Sequence, residues 1–184
     1  EHPEKAILFN AVGNWPIETI AGSQADLMYI EVWKPYTHWR DLHRLIVEAQ
    51  RLSHKAVVLA AYIDPAREYN VRLADAIIFA NGGYHIELGE PEALLADPYF
   101  PKYGQMDAGL AKILRAYYDF AVRYENVLAL NTCDATSEWS GCVIIEDVST
   151  DWQRARDAVW PIVRAGDGFT AISLINLLGL ASAH

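Results

Sequence analysis

Apolar positions fall into short runs that alternate with longer amphipathic stretches. Ala-Ile-Leu-Phe-Asn-Ala-Val at 6–12 ends at the turn Gly13-Asn14 and reads as a buried strand. Leu-Met-Tyr-Ile-Glu-Val-Trp at 27–33 is a second such run, stopped by Pro35. The stretch 39–52 sets Leu42, Leu45, Ile46, Ala49 and Leu52 at helical spacing, with Arg, Asp and Glu between them. A third strand at 56–63 is closed by Asp64-Pro65, which reads as the N-cap and first residue of the next helix. That helix is expected over 66–80, with Val71, Ala74, Ile77 and Ile78 on one face and Gly82 as its stop. Tyr-His-Ile-Glu-Leu-Gly at 84–89 reads as a fourth short strand. A long helix is expected over 107–130, with Leu110, Ile113, Leu114, Tyr117, Phe120, Ala121 and Tyr124 inward.

Strands apolar on both faces, in strict alternation with helices, imply a parallel sheet with helices outside. After Leu130 the chain turns polar and mixed. From Val159 it reads Trp-Pro-Ile-Val-Arg, the turn Ala-Gly-Asp-Gly, then Phe-Thr-Ala-Ile-Ser-Leu-Ile-Asn, the pattern of an antiparallel hairpin. Four βα units fall short of the roughly 200 residues or more of a complete (β/α)8 barrel. The expected fold is therefore α/β: the C-terminal half of a TIM-type barrel, strands five to eight, over residues 1–130. An irregular connection follows at 131–158, and the first strands of an all-β sandwich domain at 159–184. On this reading the chain is a fragment of a longer protein.

Composition narrows the function. Hydrophobic residues make up 52% of the 184 positions, which excludes a disordered tail. Fifteen Lys and Arg against 24 Asp and Glu give a net charge of −9, so a phosphate-binding groove for nucleic acid is not expected. Gly168 to Ala183 is too short and too interrupted for a membrane span, which takes about 20 residues. The sequence has no CxxC, HExxH or Cys/His cluster, so neither metal nor cofactor is expected. Cys133 and Cys142 fit either a disulfide across a turn or two unrelated buried thiols.

In a parallel barrel the chemistry gathers at the C-terminal ends of the strands. Glu31 stands out because it interrupts an apolar strand, where an unpaired charge is costly to bury. A carboxyl group in an aromatic-lined, partly desolvated pocket suits general acid work, and a salt-bridged structural carboxylate is the alternative. Trp33, Tyr36 and Trp39 follow closely, as core or as a platform for sugar rings. Asn10, Tyr62, His85 and Glu87 stand at or just past other strand ends. Glu87 would orient substrate hydroxyls or hold the sheet's seam, and His85 reads as packing more readily than as catalysis. The Asn-Gly-Gly at 81–83 ends a helix instead of opening one, which leaves nucleotide binding and an α/β oxidoreductase unsupported.

Several motifs in one order carry a resemblance. They are Phe-Asn-Ala-Val-Gly-Asn-Trp-Pro-Ile-Glu-Thr at 9–19, Tyr-Ile-Glu-Val-Trp-Lys-Pro-Tyr at 29–36, Val-Val-Leu-Ala-Ala-Tyr at 57–62 and Ala-Asn-Gly-Gly-Tyr-His-Ile-Glu-Leu-Gly-Glu at 80–90. Together with 117–126 and 172–177, they resemble glycoside hydrolase family 66, which holds bacterial endo-dextranases and cycloisomaltooligosaccharide glucanotransferases. The resemblance implies a secreted, retaining enzyme on a (β/α)8 barrel, acting on α-1,6-glucan such as dextran or isomaltooligosaccharides. It gives Glu31 the acid/base role and makes Asn10, Trp33, Tyr62, His85 and Glu87 candidate substrate contacts. The family's nucleophile, an Asp on the fourth barrel strand, is expected upstream of residue 1, so this chain alone is not expected to cleave dextran. The short connections between 27 and 130 favour the hydrolase over the transferase, which carries an inserted module. A non-catalytic carbohydrate-binding half-barrel is the further alternative.

Overall fold

The computed structural model describes residues 4–97, 103–152 and 157–180. Strands β1 (Leu8–Val12), β2 (Leu27–Glu31), β3 (Ala56–Ala60) and β4 (Tyr84–His85) form one parallel sheet in chain order. Their crossovers carry helices α1 (Ile17–Ala21), α2 (Trp39–Ser53) and α3 (Glu68–Ala80). A small antiparallel sheet of β5 (Leu88–Gly89), β6 (Ala93–Leu95) and β7 (Tyr103–Gln105) follows, then α4 (Ala108–Arg123) and α5 (Glu125–Leu128). The chain ends in a third sheet, β8 (Cys133–Asp134), β9 (Val159–Gly166) and β10 (Phe169–Asn176), all antiparallel.

The register fixes the faces of the parallel sheet. Ala11, Ile30 and Leu59 lie in one row and Met28 and Val57 in the next, all fully buried against Leu45, Ile46, Ala49, Ile77 and Ile78 of α2 and α3. Side chains alternate across a strand, so Asn10, Tyr29, Glu31 and Val58 occupy the opposite face. That face is open, and β1 at the sheet's edge leaves Leu8, Phe9 and Val12 about half exposed. Among the described residues β1 pairs only with β2.

The hairpin expected from 159 onward is present, but it shares the core of the α/β layer. Trp160, Ile162, Ile175 and Leu177 belong to the same buried cluster as the residues of α2 and α3. Arg164 of β9 is 1% exposed and reaches across to the helices, donating from Nη1 to Gln50 (2.9 Å), from Nε to the Leu128 carbonyl (3.1 Å) and from Nη2 to the Thr132 carbonyl (3.0 Å).

Several sequence expectations change. The helix expected from residue 66 begins at Glu68; Asp64 accepts from the Ala66 N–H (2.9 Å) in a turn, and Arg67 takes the N-cap position. The helix expected over 107–130 is two, because the backbone leaves helical geometry at Tyr124 (φ −109°). Leu110 and Leu114 are buried, whereas Phe120 and Tyr124 are exposed and not inward. The fourth strand keeps only Tyr84–His85 in the parallel sheet, its continuation joining the small antiparallel one. Cys133 and Cys142 are unpaired and exposed, so they form neither a disulfide nor a pair of buried thiols.

Candidate active site

Glu31 is the last residue of β2, on the face turned away from the helices. Alternation puts Trp33 on the same side two positions on, and its indole Nε1 donates to Glu31 Oε2 at 2.9 Å. Tyr62 stands two residues past Ala60, the register partner of Glu31, so it too faces this side. The Tyr62 phenol lies close enough to Glu31 and Tyr29 to feel both, and its ring meets that of Trp33 edge-on at 6.5 Å. Burial, reinforced by the Glu31 carboxylate, raises the Tyr62 phenol above the usual tyrosine range. Tyr29 is raised for the same two reasons. Both phenols therefore stay protonated at physiological pH and remain able to donate. The backbone continues the support, with Gly13 N–H donating to the Glu31 carbonyl at 3.0 Å.

Beside Tyr62 lies an open cavity of about 420 Å³, lined among others by Tyr36, Thr37, Tyr62, Asp64, Arg67 and Asn70. It joins aromatic rings to hydrogen-bonding groups of both signs, a lining suited to a polyhydroxylated, uncharged ligand. Asn10 shares the sheet face with Glu31 but sits one row back, opposite Tyr29, and is exposed.

His85 and Glu87 do not join this group. His85 lies in register with Leu59, on the helix side of the sheet, and both residues are buried in a separate cluster with Asp75 of α3 and Tyr118 of α4. His85 Nδ1 meets Asp75 Oδ1 at 2.7 Å and lies 3.4 Å from Glu87 Oε2. Tyr118 donates to Glu87 Oε1, or to the His85 carbonyl, at 3.1 Å. Burial pushes the Glu87 carboxyl up to about 8; His85 works against that rise, and Asp75 adds to it. Asp75 Oδ2 has no donor in the structure unless Glu87 carries a proton and shares it. Burial opposes a charge on His85, yet its bond to Asp75 and the nearby carboxylates outweigh that cost and raise its pKa.

Asp75, His85 and Glu87 are also the group of described residues whose ligand atoms lie within 4.8 Å of one another, as metal binding requires. The 2.7 Å contact between His85 and Asp75 is a hydrogen bond, which occupies the nitrogen a metal would need. No helix among the described residues is long and apolar enough to cross a membrane.

Sequence reasoning passed over Tyr29, Asp75 and Tyr118, and the last two left a trace. Asp75 falls at i+4 from Val71 within the apolar face of α3, and Tyr118 at i+4 from Leu114. A charge within an apolar helical stripe marks a buried polar contact.

Comparisons place these features among known proteins. A Niallia circulans cycloisomaltooligosaccharide glucanotransferase is 34% identical over 113 residues, 61% of this chain and 12% of that protein. A Streptococcus salivarius dextranase is 24% identical over 95% of this chain and 26% of its own length. The chain thus spans between about an eighth and a quarter of these curated relatives. The crystal structure of a Paenibacillus cycloisomaltooligosaccharide glucanotransferase complexed with cycloisomaltoheptaose superposes with a TM-score of 0.81 at 17% identity, covering 94% of this chain and 45% of that one, and it shows a shared α/β fold. The family model for glycosyl hydrolase family 66 matches residues 1–184, so the chain belongs to that family.

Proposed function

We propose that this chain supplies the proton-donating half of a retaining enzyme that cleaves α-1,6-glucosidic linkages inside dextran. The observation that carries the reading is the Glu31 carboxyl at a strand tip, held by the Trp33 indole on the open face of the sheet with Tyr62 packed against that indole. Glu31 protonates the leaving glycosidic oxygen, then deprotonates the water that releases the product. Trp33 holds the carboxyl plane while the proton moves, and the cavity beside Tyr62 takes neighbouring glucosyl units. Asn10 contacts substrate from the row behind, whereas His85 and Glu87 act only from beneath the sheet.

A retaining mechanism needs a second carboxyl group about 5–5.5 Å from the first, to attack the anomeric carbon. We assign it to an Asp in polypeptide outside these 184 residues. The parallel sheet then forms strands five to eight of a (β/α)8 barrel, and the half-exposed Leu8, Phe9 and Val12 of the β1 edge pack against the fourth strand. Such an enzyme meets its polymeric substrate outside the cell.

The test is Glu31→Gln in the longer polypeptide that contains this chain. Loss of dextran hydrolysis with dextran binding retained supports the assignment. Activity within a few-fold of wild type would leave Glu31 merely structural, and the chain would then be a carbohydrate-binding half-barrel. A transferase reading draws support from the glucanotransferase relatives, and cyclic instead of linear products would establish it.

A further inference from the structure

We infer that His85 is a positioning residue for Glu31, acting through the sheet from its opposite face: it clamps the Ala61 peptide and so sets where the Tyr62 hydroxyl meets the carboxyl group. This rests on the reading of Glu31 as the proton donor.

The argument begins where the strand ladder ends. The Ala60 carbonyl accepts from Val32 N–H at 3.0 Å, the last step at which a neighbouring strand holds β3. One residue later, the Ala61 N–H and carbonyl meet the His85 ring instead, 3.3 and 3.1 Å from Nε2. The next residue is Tyr62, whose side chain turns to the other face, beside Glu31 and edge-on to the Trp33 ring. A shift of the Ala61 peptide is therefore passed directly to the phenol and, through its edge-on contact, to the Trp33 indole that donates to Glu31.

The ring is held so that it always has something to offer Ala61. Nδ1–H donates to Asp75, which leaves Nε2 as the atom facing the peptide. A neutral ring accepts there from the Ala61 N–H, and an imidazolium donates there to the Ala61 carbonyl. Either charge state keeps the clamp. Asp75 and Glu87 are the groups that face the ring and fix it, and Tyr118 holds Glu87 and the His85 carbonyl. Burying two carboxyl groups and a histidine is costly where apolar packing would suffice for stability alone.

The experiment reads the Trp33 indole N–H resonance in the ¹⁵N spectrum of the chain, assigned by its loss in Trp33→Phe. His85→Leu, and separately Asp75→Asn, are expected to displace that resonance while the other indole signals stay in place. His85→Gln, which can still reach Ala61, returns it toward the wild-type position. An unmoved Trp33 resonance in either variant that folds, judged by circular dichroism, overturns the clamp. In the longer dextran-cleaving polypeptide, His85→Leu is expected to lower kcat about tenfold or more with KM little changed. An unchanged kcat beside a displaced resonance overturns the positioning role. Absence of cleavage by the wild-type polypeptide would defeat the proton-donor reading instead, with the clamp still decided by the spectrum.

Discussion

Trp33 Nε1 donates to Glu31 Oε2 at 2.9 Å across two positions of sequence. The strand period brings these groups to one face, so the contact needs no long-range folding event to pair them. Fixing the carboxylate in place requires tertiary structure, because Tyr62 arrives from the next strand.

Removing the Trp33 donor is expected to weaken catalysis more than binding. A hydrogen bond to a charged group contributes about 1.5–3 kcal/mol, which corresponds to roughly ten- to a hundredfold in rate. Trp33→Phe in the longer polypeptide should lower kcat on dextran within that range, and Tyr62→Phe should lower it by less. Because both act on one carboxyl group, the double variant should fall short of the product of the two losses, as a double-mutant cycle would reveal.

The buried cluster predicts a fall in stability as pH rises. Glu87 moves from an ordinary 4.5 to about 8 on folding, so the folded chain binds that proton more tightly than the unfolded one. The resulting stabilisation is complete below about 4.5 and is lost as pH rises through about 8. His85, also raised, contributes with the same sign. Tm measured from pH 5 to 9 should decline. Glu87→Gln should flatten the alkaline part of that decline, since the amide can donate to Asp75 and accept from Tyr118 without titrating.

Gly82 marks a close approach that no other residue fits. Its φ is +67°, and a Cβ there would stand 2.5 Å from the Leu128 carbonyl oxygen and 2.9 Å from Arg164 Nη2. Gly82→Ala should cost about 2–3 kcal/mol in urea denaturation. Gly168 has a similar φ of +76° with nothing within 4 Å, so Gly168→Ala should cost only about 1 kcal/mol.

Arg164 ties the third sheet to the α/β layer. Burial pulls its pKa down, with Asp134 opposing that fall. Arg164→Met preserves the aliphatic length but removes the donor of the Thr132 carbonyl and of Gln50 Oε1. Chemical denaturation should register a loss of about 2–4 kcal/mol.

Periodicity located the apolar strands, a helix over 39–52 (Trp39–Ser53 in the structure) and the hairpin from Val159, because each depends on contacts between near neighbours. The single Glu in an apolar strand marked the candidate proton donor for the same reason: its anomaly is local. Tyr124 was misplaced because the break in its helix has no Gly or Pro to announce it. His85 and Glu87 look like strand-end site residues in sequence. His85 belongs beneath the sheet because its register with β3 sets it in phase with Leu59 rather than with Glu31, and Glu87, two positions on, is buried with it.

The sequence by itself determined the alternation of strand and helix, the family motifs and the residue at the tip of β2, all consequences of spacing along the chain. Only the tertiary structure decided which side of the sheet each polar residue occupies. That side depends on the register between strands tens of residues apart, and a one-residue slip would exchange the two faces.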